Sequence, residues 1–91
     1  MKIKYKNKGV CSTHTLLEID DETKAILNCE IIGGCMGNLA GISSLLRGMD
    51  ANDAIDRLKG INCGFRKTSC PDQVSMALEE ALKDIDKLKA I

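Results

Sequence analysis

Residues 14–32 read HTLLEIDDETKAILNCEII. Two apolar runs, 14–20 and 25–32, flank a polar turn at Asp21–Thr23. In the first run Leu17 and Ile19 alternate with polar neighbours; in the second Leu27, Cys29 and Ile31 share one face. A period of two is the signature of a half-buried strand, and so short a connection joins antiparallel neighbours. The stretch therefore predicts a hairpin, with these five side chains facing a core. Upstream, KIKYKN at 2–7 alternates Lys2, Lys4 and Lys6 with Ile3 and Tyr5. A lysine-lined strand suits the edge of a sheet, where charge discourages further pairing.

Downstream of Gly33-Gly34-Cys35 the period changes. Leu39, Ile42, Leu45 and Leu46 recur at helical spacing, and Gly48 can end that helix. Asp50 is a good N-cap for a short helix through Ala54, Ile55 and Leu58, closed by Gly60. A last helix starts near Ser69, where Ser69-Cys70-Pro71-Asp72 resembles a capping box with Pro in the first turn. Its apolar stripe is Val74, Ala77, Leu78, Ala81, Leu82, Ile85 and Leu88. Strands first and helices after predict an α+β fold: a small three-stranded antiparallel sheet with about three helices on one face. No linker divides the chain, so residues 1–91 form one domain. The last helix can use its stripe on its own sheet, so no dimer is required.

Composition narrows the function. Lys+Arg and Asp+Glu both number 13, so no bulk charge steers the protein to DNA, RNA or an anionic membrane. Tyr5 and Phe65 are the only aromatics, which removes the stacking platform of single-strand binders. No apolar run approaches the roughly 20 residues of a membrane helix, and no signal peptide is visible at Met1–Lys8. A cytoplasmic location is the expectation, with its cysteines reduced.

Five cysteines are present. Cys29 lies on the apolar strand face and reads as a small buried hydrophobe. The other four, Cys11, Cys35, Cys63 and Cys70, all fall at junctions between elements, beside Gly, Ser or Pro. Junctions at one end of a sheet can converge, and four thiolates suit zinc or iron. They fall 24, 28 and 7 residues apart, without the two-residue knuckle typical of zinc modules. A four-cysteine metal site, reactive thiols without metal, and unrelated structural cysteines all remain open on spacing alone. Cys35 and Cys70 lie at helix starts, where the N-terminal dipole favours a thiolate for either metal or redox chemistry. His14, three residues after Cys11, could assist a metal or simply begin a strand. GGCMGN at 33–38 has the glycines of a phosphate cradle but matches no nucleotide-binding fingerprint.

Thr68-Ser69-Cys70-Pro71-Asp72 spells TSCPD. With CSTHT at 11–15, GGCMGN, GISSLLRGM at 41–49 and LKGINCG at 58–64, the chain resembles the small four-cysteine members of the TSCPD-domain family over nearly its whole length. The family's four characteristic cysteines match Cys11, Cys35, Cys63 and Cys70. The domain also occurs at the C-terminal end of B12-dependent ribonucleotide reductases. The resemblance therefore implies a metal module, with zinc as the expected ion, and an accessory part in ribonucleotide reduction, with a ribonucleotide reductase or another protein as partner. This chain is too short to be that oxidoreductase by itself. A more distant similarity is to the U-type iron–sulfur scaffold proteins, through Cys11, Cys35 and Cys70. It implies iron or an iron–sulfur cluster as the alternative cargo. The scaffolds carry Asp where this chain has Thr13, and commonly His where it has Ser69. A thiol redox relay through Cys63 and Cys70 is the third reading.

Overall fold

In the computed structural model the described residues are 1–10, 12–34, 36–61 and 68–89, the side chains of 36–38, 88 and 89 excepted. The elements run β1 (Lys2–Lys6), β2 (Ser12–Ile19), β3 (Ile26–Gly33), α1 (Met36–Leu46), α2 (Ala51–Leu58) and α3 (Cys70–Lys89). The sheet is antiparallel in the order β1-β2-β3. The α+β expectation holds, and the lysine-rich β1 occupies an edge.

Alternation in β1 and β2 places Ile3, Tyr5, Thr15, Leu17 and Ile19 on the inner face. There Leu17 meets Ile3 on one side and Cys29 on the other. The helices cover this face: α1 lies on β3, α3 on β2 and β1, and α2 against α3. Ile19, Ile26, Val74, Leu78 and Ile85 are at most 1% exposed. Each contributes roughly 1.5–3 kcal/mol by leaving water. Ala51 and Ala54 of α2 and Ala77 and Ala81 of α3 are fully buried. Their short side chains let the helices pack closely.

Two register breaks change the faces expected from strict alternation. Between Asn28 and Ile26 the pairing with β2 skips Leu27. The bulge turns Leu27 outward, 51% exposed, and brings Ile26 into the core. Leu27 is therefore not a core residue as its spacing predicts, whereas Cys29 is buried and Ile31 half-buried. A second break lies between Ser12 and His14, which pair with Gly33 and Ile32, so Thr13 is the extra residue. One additional residue reverses the facing of everything beyond it. Ser12 and Thr15 consequently both point inward and are buried.

In α1, Leu39 and Leu46 are buried and Ile42 is half-buried, but Leu45 is 75% exposed. The helical stripe groups it with the buried positions, yet it faces solvent. Gly48, at φ +83°, ends the helix with its N–H donating to Ile26 O. Ile26 N–H in turn donates to Met49 O, and Ala51 N–H to Lys24 O. The α1–α2 connection thus covers the start of β3, opposite β2. Asp50 caps α2 by accepting from the N–H groups of Asn52 and Asp53.

Candidate thiol site at the start of the last helix

The α3 N-terminus is built from the TSCPDQ stretch. Ser69 Oγ accepts from Asp72 N–H at 3.1 Å, which is the N-cap expected for this sequence. The reciprocal half of a capping box is replaced. Asp72, buried, directs its carboxylate to Gly60 N–H at 2.8 Å and to the Thr68 hydroxyl. Ser69 Oγ also donates to Ile61 O at 2.6 Å. Gln73 holds the β1–β2 connection: its Oε1 accepts from Lys8 N–H at 3.0 Å while its Nε2 donates to Thr68 Oγ1 at 2.9 Å. Gly9, at φ +71°, lies so close that a Cβ there would stand 3.3 Å from Thr68 Cγ2. Both its conformation and its clearance call for glycine.

Cys70, the first residue of α3, is buried. Its Sγ accepts from Ser12 Oγ at 3.0 Å. Ser12 Oγ itself accepts from Asn7 Nδ2 at 2.8 Å, and Asn7 Oδ1 accepts from Thr15 Oγ1 at 2.8 Å. The chain of donors has one direction. The Asn7 amide nitrogen can only donate, so the Ser12 proton is left for the sulfur. Ser12 reaches Cys70 because the Thr13 bulge turns it inward.

Tyr5 stands beside this end of α3, its hydroxyl 3.8 Å from Met76 Sδ. Burial first, then the Glu80 and Asp72 carboxylates, pushes its phenol above the usual range. His14 shares the outer face of β2 with Leu16 and Glu18, away from Ser12 and Thr15. Thr13 donates its hydroxyl to Ile32 O at 3.2 Å. Cys29 is 1% exposed. Burial pushes its thiol up, partly offset by a hydrogen bond to Ser43 and by the charge of Arg47. It behaves as the buried hydrophobe that its strand position predicts.

Of the four expected ligands, Cys70 is described; Cys11, Cys35 and Cys63 lie outside the described residues. Within GGCMGN, Cys35 and the side chains of 36–38 lie outside them. Among the described residues no group of three or more His, Cys, Asp or Glu side chains is disposed to hold a metal. Sequence reasoning missed Asn7, Ser12 and Thr15 as partners of the site. The only signal for Ser12 was its place beside Cys11.

The TSCPD domain model matches residues 2–82, a span that contains all five cysteines. The chain belongs to the TSCPD-domain family. No curated protein and no solved structure matches it. The TSCPD signature has a local structural meaning here. Thr68, Ser69 and Asp72 knit the helix start to the end of α2, and Gln73 extends the same network to the β1–β2 connection. Among the described residues no helix is long and apolar enough to cross a membrane.

Proposed function

We propose that this TSCPD-domain protein is a four-cysteine metal module, with zinc held by Cys11, Cys35, Cys63 and Cys70. One observation carries the reading: the described residues flanking all four cysteines converge on the α3 N-terminus. Ser12, next to Cys11, bonds to Cys70 Sγ and pairs with Gly33, two residues before Cys35. Ile61, two residues before Cys63, is tied to Ser69, next to Cys70. Since each residue spans at most about 3.8 Å between Cα atoms, the chain can bring the other three sulfurs within reach of Cys70.

The donor set fits a thiophilic ion. The Asp72 carboxylate and the Thr13 hydroxyl are engaged by Gly60, Thr68 and Ile32 instead. A site made of thiolates alone favours a closed structural metal over a labile cluster. Zinc in such a site would cross-link the segments it binds, and its binding energy would become folding energy. That is a useful staple for a core of this size.

The accessory role in ribonucleotide reduction that the family resemblance implies is proposed as a function of the same module, through a partner protein. The iron–sulfur scaffold reading shares Cys11, Cys35 and Cys70. It is less favoured because the hydroxyl of Thr13, at the position of the scaffold's Asp, is turned to the β3 backbone.

The test is elemental analysis and absorption spectroscopy of untagged protein purified without oxygen. About one zinc per chain and no colour are expected for a closed four-thiolate site. Cys63→Ser and Cys70→Ser should each lose metal and lower the melting temperature. Unchanged metal content in both variants would refute the site. Iron with acid-labile sulfide would favour the scaffold reading. Metal-free protein whose Cys63 and Cys70 cycle with thioredoxin would favour the thiol relay.

A further inference from the structure

We infer that Ser12 is a positioning residue for the metal-bound Cys70 sulfur, donating the hydrogen bond that orients it and withdraws part of its charge. The inference rests on the metal reading above and assigns Ser12 a task within it. Three features support it. The contact is close, 3.0 Å from Oγ to Sγ. The donor is preset: Thr15 fixes the Asn7 amide, and that amide occupies the Ser12 oxygen, so the Ser12 hydrogen needs no reorganisation to face sulfur. The three residues are also shielded from water, with Thr15 0%, Ser12 3% and Asn7 8% exposed. Water does not compete there, and a hydrogen bond to a charged acceptor keeps more of its strength in such surroundings.

The bulge at Thr13 is what makes this possible. Strict alternation from Leu17 and Ile19 would turn Ser12 to the outer face with Leu16. The extra residue returns it to the inner face, against the first turn of α3. A donor of this kind beside a thiolate ligand is the outer-shell device that fixes a ligand's orientation and tunes the metal.

The experiment uses the full chain, stripped of metal without oxygen and reloaded with Co²⁺, with zinc affinity measured separately by competition with a chromophoric chelator. Wild-type protein should show sulfur-to-cobalt charge-transfer absorption. Ser12→Ala should move that band to lower energy, since the sulfur regains charge, and weaken zinc by about tenfold or more, as outer-shell losses do. Ser12→Thr, which keeps the hydroxyl, should retain the wild-type band. Asn7→Asp keeps the shape but offers an acceptor in place of the amide donor. The Ser12 proton then turns from sulfur to the carboxylate, and the band should shift as in Ser12→Ala. This second variant carries the test if Ser12→Ala does not fold.

Weakened zinc with an unshifted band would show that Ser12 only supports the fold, and would overturn the inference. A wild-type band and affinity in both Ser12→Ala and Asn7→Asp would overturn it while leaving the metal site intact. Absence of any charge-transfer band in the wild-type protein would remove the metal reading, and this inference with it.

Discussion

Replacing Asp72 by Asn exchanges one oxygen for a nitrogen in a side chain that is 4% exposed. Both carboxylate oxygens accept hydrogens: Oδ1 from Gly60 N–H and Oδ2 from the Thr68 hydroxyl. The Thr68 proton has little choice, because Gln73 Nε2 donates to the same Thr68 oxygen. With the new amide nitrogen facing Gly60, two donors would oppose each other. Turned the other way, the amide would give Thr68 a second donor and leave the hydroxyl proton without its acceptor. Either arrangement forfeits a hydrogen bond to a charged group, about 1.5–3 kcal/mol. Loss of negative charge in the first turn of α3 adds about 0.3–1 kcal/mol. The expected total is about 2–4 kcal/mol. In a domain of this size that lowers the melting temperature by roughly 8–30 °C. Circular dichroism at neutral pH, with a urea titration alongside, measures it. Asp53→Asn serves as the control, since this first-turn carboxylate is exposed. A melting point for Asp72→Asn within about 3 °C of wild type would refute the claim that this carboxylate ties α3 to the end of α2.

The β3 bulge predicts unequal neighbours: Ile26→Ala should cost about 2–5 kcal/mol, whereas Leu27→Ala should stay within about 0.5 kcal/mol, both read by urea unfolding. Gly41, inside α1, and Gly48, at its end, would both give a Cβ open space. Gly41→Ala should therefore stabilise by about 0.5–1 kcal/mol, while Gly48→Ala, at φ +83°, should destabilise by about 1–2 kcal/mol. Asp20 has its carboxyl held below the usual range by hydrogen bonds from the Thr23 and Glu22 N–H groups. Its contribution is complete above the unfolded-state pKa and is lost as pH falls through the lower folded value. An NMR titration should place its midpoint below that of an unstructured Asp, and a midpoint at or above it would refute the turn geometry.

Much of the architecture was legible because local chemistry and tertiary packing agree. Asp50 caps α2, Gly48 and Gly60 take positive φ at helix ends, and Val74 through Ile85 bury one stripe of α3. Leu27 and Leu45 were misplaced for different reasons. Periodicity assumes an uninterrupted ladder, and one extra residue invalidates it for Leu27. It also cannot say how much of a helix its neighbours cover, so it grouped the exposed Leu45 with buried side chains. The place of Cys70 at the start of the last helix was legible from the Ser-Cys-Pro-Asp setting. The partners of Cys70 were not, because Asn7, Ser12 and Thr15 are ordinary strand and junction residues by type. Only the register break brings the Ser12 hydroxyl inward to meet them.

That break makes chain length itself a determinant at Thr13. The Thr13 side chain is exposed and gives one hydrogen bond, to Ile32 O, so many residues should be tolerated there. Deleting the position would instead restore an even ladder and carry Ser12 to the opposite side of the sheet. It would also detach the Asn7 amide from its acceptor. A locus that accepts almost any letter but not the loss of one is invisible to a comparison of residue identities. It constrains this fold through spacing alone.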